Sequence, residues 1–263
     1  MIEINKEKYN IDDLLKIMKE LRSPNGCPWD REQDHHSIRN DFIEETYEAI
    51  DAIDRDDATD MCEELGDVLL QVVFHSHIEA EKKSFDFTDV CDGICKKLIE
   101  RHPHVFGSVN VNNSDEVLDN WDKIKQKSKN QTTYTDTLKS VPMAFPALLR
   151  AEKVQKRAKK AGFDWDNAED ASKKIDEELA EFKEAVRNGN QEQMFEEYGD
   201  LLFSMVNVSR FLKINSEQAL HGAADKFIKR FEKVEKLAEQ KEIDMKSSSL
   251  EVLDRLWEEA KRS

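Results

Sequence analysis

The sequence predicts an all-α protein made of two tandem copies of one helical bundle, and three observations lead there. Charged residues make up 37% of the 263 residues and hydrophobic residues 38%, a mixture that suits amphipathic helices with solvated outer faces better than buried parallel strands. Only eight glycines and five prolines interrupt the chain, so helices should be long and turns few. One carboxylate pattern occurs twice, as Glu45, Glu48, Glu64 and Asp67 and as Glu178, Glu181, Glu197 and Asp200, every member displaced by 133 residues (45 to 178, 48 to 181, 64 to 197, 67 to 200). A repeat of that length in a chain of this size favours two domains, each with a modest core.

The first helix is predicted over Ile11 to Leu21, where Leu14, Leu15, Ile17, Met18 and Leu21 form one stripe, and it stops at the turn-rich run Ser23-Pro24-Asn25-Gly26. Ser37 is expected to cap the next helix, in which Phe42, Ile43, Tyr47, Ile50 and Ile53 recur at helical spacing up to a turn at Arg55-Asp56-Asp57. A third helix is predicted from Ala58 to Lys82, with Leu65, Val68, Leu69, Val72 and Val73 as a thick apolar face. Another runs from Phe87 to Arg101 and ends before Pro103, and a further one covers Ser114 to Lys127.

The polar, weakly periodic run 128–135 marks an interdomain linker, which Pro142 and Pro146 close. The expected organisation is therefore a first domain over residues 1–127, a linker over 128–145 and a second domain over 146–263. The second half restarts with a basic amphipathic helix, Ala147 to Lys160, and then Gly162-Phe163-Asp164-Trp165. Helices follow over Ala168 to Arg187 and Gln191 to Leu212, joined by Asn188-Gly189-Asn190.

The repeat extends beyond the acids. Trp29 and Trp165 each precede an acidic hairpin, and a basic pair four residues apart follows each, Lys97 with Arg101 and Lys226 with Arg230. Each half then reaches a tryptophan and a lysine, Trp121 with Lys125 and Trp257 with Lys261. The offset of these landmarks drifts between 129 and 136, so the connecting loops differ.

A formal net charge of -16 argues against a nucleic-acid-binding surface, which would set lysine and arginine against phosphates. The four cysteines, Cys27, Cys62, Cys91 and Cys95, form no zinc spacing and read as reduced thiols of a cytoplasmic protein. Met1-Ile2-Glu3-Ile4-Asn5 leads into polar sequence without a signal-type apolar core, and no run reaches the ~18 apolar residues of a membrane helix.

Within each copy the first two acids stand three apart, and so do the second two, so each pair shares one helix face. Two such helices folded back on each other bring four carboxylates to one spot. Oxygen-only ligands suit a hard divalent cation, Mg²⁺ or Mn²⁺, rather than zinc. Unbalanced, these acids repel one another and demand counter-charge. Lys226 and Arg230 lie on one helical face and can reach phosphate oxygens; Trp257 either stacks on a base or caps the core. No nucleophile with an adjacent base stands out, and of the two ExxH pairs that a di-iron bundle needs only Glu32 to His35 is present.

With these motifs in hand, the chain resembles the MazG nucleoside triphosphate pyrophosphohydrolases in their bacterial two-domain form. The residues that carry the resemblance are Gly26-Cys27-Pro28-Trp29-Asp30, Glu44-Glu45-Thr46-Tyr47-Glu48, Gly66-Asp67, His102-Pro103-His104-Val105-Phe106 and Gly162-Phe163-Asp164-Trp165. The resemblance implies an all-α, Mg²⁺-dependent, homodimeric hydrolase that converts a nucleoside triphosphate to the monophosphate and pyrophosphate. It places metal on Glu45, Glu48, Glu64 and Asp67 and on Glu178, Glu181, Glu197 and Asp200. It places nucleotide contacts on Lys174, Glu196, Lys226, Arg230, Trp257 and Lys261, and leaves Glu177 and Glu178 both open as the general base.

The copies are not equivalent. One turn before its first metal acid the second copy has Lys174, which attracts a triphosphate, where the first has Asp41, which repels it. The second site is therefore expected to do most of the hydrolysis. Two further readings stay open at this level: a narrow-specificity dUTPase-like pyrophosphatase, and a non-catalytic helical dimerisation or regulatory protein that metal holds together.

Overall fold

The computed structural model describes residues 5–129 and 131–262; the lead-in Met1-Ile2-Glu3-Ile4 and Asn130 of the expected linker lie outside the described residues. Among the described residues there are thirteen α-helices and no strand, in agreement with the all-α prediction. In chain order they are α1 (Ile11–Leu21), α2 (Pro28–Glu32), α3 (Arg39–Asp54), α4 (Ala58–Glu81), α5 (Phe87–Arg101), α6 (Pro103–Phe106), α7 (Ser114–Ser128), α8 (Tyr134–Lys139), α9 (Ala147–Lys160), α10 (Ala168–Asn188), α11 (Gln191–Phe211), α12 (Ser216–Gln240) and α13 (Leu250–Arg262). The chain divides into two compact units, Met1–Lys125 and Gln126–Ser263.

In the first unit α1 starts on a capping box, in which the Asn10 side chain accepts from the Asp13 N–H and the Asp13 carboxylate accepts from the Asn10 N–H. It ends where Gly26 folds back on it; a Cβ there would stand 2.2 Å from the Leu21 carbonyl oxygen, so only glycine fits the turn. Ser37 does not cap α3. Its N–H donates to Asp34 Oδ1 and its hydroxyl accepts from the Asp34 N–H, which leaves Ile38 at the cap. A local Asp-led turn thus outcompetes the expected serine cap. The core gathers Met18, Ile38, Val73, Phe74 and Ile78, with Leu14, Leu15, Leu70 and Phe87 against it. The apolar face of α4 is covered only towards its C-terminal half, since Leu65 and Leu69 remain exposed.

The second unit places its core at the other end of its chain, where Val234 and Ala238 of α12 meet Leu256 and Ala260 of α13. The stretch expected as a linker contains α8, nucleated by a capping box between Thr133 and Asp136. Thr137 and Val141 in that stretch are buried, and Arg157 of α9 donates to the Thr137 carbonyl and to Ser140 Oγ. Composition marked the stretch as polar, but its polar groups are the ones that cap and anchor a helix.

The two acidic hairpins, α3–α4 and α10–α11, match position by position. Each helix pair is joined through one residue in the left-handed region, Asp56 (φ 55°) or Gly189 (φ 66°). The following residue, Asp57 or Asn190, donates its N–H to the carbonyl of a buried alanine, Ala52 or Ala185, and its side chain caps the next helix. Val73 and Val206 are buried alike, both 133 residues apart like the acids.

Candidate functional site

The carboxylates sit mid-helix on the facing sides of these hairpins, where rigid backbone rather than loop fixes their spacing. In the first unit oxygens of Glu45, Glu48 and Glu64 lie within 4.8 Å of one another, and in the second those of Glu178, Glu197 and Asp200 do. Three of the four acids converge in each copy, and the trio differs: Asp67 stands outside the first and Glu181 outside the second. Both outliers are close enough to be felt electrostatically. Burial, and after it the charges of Asp67, Glu48, Asp41 and Glu44, hold the Glu45 carboxyl above the usual glutamate range. Burial with Glu48, Asp60 and Asp67 does the same to Glu64, and burial with Glu181, Glu178, Glu196 and Asp200 to Glu197.

Such mutual repulsion is stored where a cation can relieve it. The donor set is carboxylate oxygen throughout, three atoms converge at ligand spacing, and a hard divalent cation with water or phosphate completing its shell fits both places.

Counter-charge distinguishes the two. Lys174 Nζ lies 2.7 Å from Glu178 Oε1 and 2.8 Å from Glu177 Oε1, and these two hydrogen-bonded carboxylates push its pKa up. The Glu178 side chain is only 7% exposed, against 55% for Glu177. Asp41 holds the equivalent place on α3 and adds to the repulsion on Glu45.

The other expected substrate residues lie on α12 and α13. Lys226 and Arg230 line one open groove on α12 together with Lys229 and Lys233. The last two were missed in the sequence, although their spacing continues the same stripe. Trp257 packs against the α12–α13 core, with Phe227 at 5.0 Å and the Arg230 guanidinium over its ring at 5.9 Å. Lys261 is paired with Glu258, and Glu196 is exposed beside Glu197. Among the described residues, α12 packs on α13 and α9 and makes no comparable contact with α10 or α11. The chain therefore brings the acids and Lys174 together and keeps the basic helix apart from them. The first unit repeats the aromatic part, with Arg101 at 5.2 Å over Trp121.

Two supports for the hairpins were also not visible in the sequence. Buried Arg22 bonds Glu81 and the carbonyls of Asp30 and Gln33, which ties the tryptophan loop to α4. The Arg210 side chain of α11 is buried and pairs with Asp164 in the loop before α10; burial pushes the Asp164 pKa up, but Arg210, with Trp165 and Lys159, outweighs it and leaves the pKa lowered. In the first unit His35 also bridges His75 (2.7 Å) and Glu79 (2.6 Å). Hydrogen bonds from Lys82 and His35 hold Glu79 at a pKa of about 2.

No helix among the described residues is long and apolar enough to cross a membrane. The sequence profile of the MazG nucleotide pyrophosphohydrolase domain matches residues 33–106 and 167–235, which enclose the two acidic hairpins. A protein of Escherichia coli (strain K12) named nucleoside triphosphate pyrophosphohydrolase is 43% identical over 255 residues, spanning 96% of this chain and 97% of its own length. One of Thermotoga maritima, named nucleoside triphosphate pyrophosphohydrolase/pyrophosphatase MazG, is 44% identical over 250 residues and 95% of each chain. The uncharacterized protein YabN of Bacillus subtilis (strain 168) is 46% identical over 256 residues, 97% of this chain and 52% of its own. With its domain matched at both hairpins and nearly its whole length shared with the Escherichia coli and Thermotoga maritima relatives, the chain belongs to the MazG nucleotide pyrophosphohydrolase family.

Proposed function

We propose that the protein is a Mg²⁺-dependent nucleoside triphosphate pyrophosphohydrolase, with Mn²⁺ as a substitute, and that its second unit performs most of the turnover. The observation that carries this reading is the meeting of Glu178, Glu197 and Asp200 within 4.8 Å, on a hairpin that also presents Lys174. Family membership and the names of two full-length relatives point the same way.

A divalent ion held by these carboxylates supplies positive charge against the phosphates and makes the attacking water more acidic. Lys174 exchanges its carboxylate partners for a phosphate oxygen and so draws the triphosphate to the acids. Glu178 is buried and would help to hold the ion. Glu177, largely exposed and one residue away, is the better placed of the two open candidates to orient the water and take its proton. Attack at the α-phosphorus breaks the bond to the β-phosphate oxygen, and pyrophosphate leaves with the monophosphate. Lys226 and Arg230, with Trp257, stand on helices that one chain keeps apart from its own acids; in a homodimer a second copy would bring them to the leaving group and the base.

The protein is read as a cytoplasmic homodimer acting on nucleotides, without nucleic-acid or membrane partners. Exposed Phe195, Tyr198, Leu202 and Met205 on α11 form an apolar surface suited to a second copy.

The test is product analysis over a panel of ribo- and deoxyribonucleotides with Mg²⁺ or EDTA. Monophosphate plus pyrophosphate, formed only with metal, is expected. Diphosphate plus orthophosphate, or turnover in EDTA, refutes the reading; activity on one nucleotide alone assigns the narrow dUTPase-like variant.

A further inference from the structure

We propose that the two units take up divalent metal in different ways: the first binds the ion by itself, and the second binds it only together with a nucleotide. The proposal rests on the metal-dependent reading above and concerns what holds each site before substrate arrives.

In the second unit the place of the ion's charge is already taken. The Lys174 ammonium sits 2.7 Å from an oxygen of Glu178, one of the three converging acids, and 2.8 Å from Glu177. Glu178 is buried, so its charge has few alternatives to that partner. An ion approaching Glu178 meets an ammonium at ligand distance, and two cations cannot share one carboxylate edge without strong repulsion. A triphosphate changes this balance, because its oxygens give Lys174 a further anionic partner that takes the place of Glu178 and releases it. Metal and nucleotide thus enter as one charge-balanced unit.

The first unit has the opposite arrangement. Asp41 occupies the position one turn before Glu45. Among the described residues none of Glu45, Glu48 and Glu64 has an ion-pair partner. Oxygens of the three carboxylates converge within 4.8 Å of one another, so each faces its neighbours' charge. A bare ion relieves this repulsion without displacing anything, and Asp41 discourages a phosphate from following. The first site is then a resting metal site that stiffens its hairpin, and the second is gated by its own lysine.

The experiment is a Mn²⁺ titration of the full chain followed by electron paramagnetic resonance, with and without a triphosphate analogue bearing an imido bridge between the α and β phosphates. Without analogue, one class of sites is expected, lost in Glu45→Gln and kept in Glu178→Gln. With analogue a second class appears, lost in Glu178→Gln. Lys174→Met should bring nucleotide-free binding to the second unit, at least tenfold tighter than in the wild type, and Asp41→Lys should weaken the first site by a similar factor. Folding of each variant is checked by circular dichroism. Two equal classes without analogue overturn the proposal, as does a wild-type isotherm from both folded Lys174→Met and folded Asp41→Lys. If no Mn²⁺ binds even with analogue, the metal-dependent reading fails and the uptake order falls with it.

Discussion

The two acidic hairpins share their carboxylate pattern and differ in their counter-charge. Glu45, Glu48 and Glu64 stand against Glu178, Glu197 and Asp200 as converging trios, the left-handed turn residues occupy matching positions, and the buried alanines behind them match. One turn before the first acid, however, the second hairpin has a lysine clamped on two carboxylates and the first has another acid. On the proposed reading, the difference means that clustered carboxylates alone do not make a phosphate site. A set of carboxylates repels a triphosphate as readily as it holds an ion, and a single well-placed ammonium decides whether the polyanion follows.

The largest expected effect breaks the comparison at the ligands. Glu178→Gln should lower kcat by about 10³-fold or more, ~4 kcal/mol of lost transition-state stabilisation, whereas Glu45→Gln should leave turnover within about threefold of wild type, under ~1 kcal/mol. Steady-state pyrophosphate release measures both. A severe loss in Glu45→Gln with Glu178→Gln nearly intact would reverse the assignment of the working site.

The next effect concerns the buried arginines that brace each hairpin. Arg210 and Asp164 are 6% and 12% exposed, whereas Arg22 is 6% exposed but its partner Glu81 is 39% exposed. Removing Asp164 leaves the buried Arg210 guanidinium without its counter-ion and with only the neutral Asn207 Oδ1 as acceptor, so Asp164→Ala should cost about 3 kcal/mol. In Glu81→Ala, Arg22 keeps the carbonyls of Asp30 and Gln33, and the cost should be nearer ~1 kcal/mol. Denaturant unfolding compares them; equal losses would mean that the two braces are energetically alike despite their different exposure.

Much of this was legible in the sequence, because the hairpins are encoded locally. The 3.6-residue stripes marked α1, α3, α4 and α9 to α11, and ExxE with ExxD marked the acids, since both signals depend only on spacing along one helix. The short helix α8 escaped because its polar residues act as caps, and a capping box in Thr133-Tyr134-Thr135-Asp136 looks like linker composition. Lys174 was legible as a position, but its pairing with Glu177 and Glu178 was not, because rotamers and burial decide between free and clamped lysines. The Arg210–Asp164 brace spans 46 residues and has no periodic signature at all.

Acid titration sharpens the electrostatic side of the comparison. In metal-free protein Glu45, Glu64 and Glu197 have pKa values raised above 4.5, first by burial and then by neighbouring acids. The folded state therefore binds their protons more tightly than the unfolded chain, and stability falls as pH rises from about 4.5 through these raised values. Two of the three lie in the first hairpin, where no lysine compensates. Glu79 acts in the opposite sense: its pKa of about 2 contributes stability above 4.5 that is lost as pH falls towards 2. Calorimetry in EDTA should thus show a melting temperature that rises as pH is lowered towards 4.5, with Mg²⁺ abolishing most of the rise and Glu45→Gln reducing it. A flat profile in EDTA would mean that the clustered acids are screened without metal.

The smallest effect lies at the two turns, where matching backbone carries different side chains. Asp56 holds φ at 55° and Gly189 at 66°, a region in which a Cβ crowds its own backbone and aspartate is tolerated better than alanine. Gly189→Ala should therefore destabilise the second unit by about 1 kcal/mol, since no atom lies within 4 Å of the added Cβ and the conformation alone is penalised. Asp56→Gly relieves strain in the first unit but loosens the unfolded chain, so a gain of only ~0.5 kcal/mol is expected. Shifts of about 2–4 °C per kcal/mol make both readable by calorimetry. If Asp56→Gly instead lowers the melting temperature, then the aspartate side chain stabilises its turn by more than the left-handed backbone costs, and the two hairpins differ in how they turn as well as in how they balance charge.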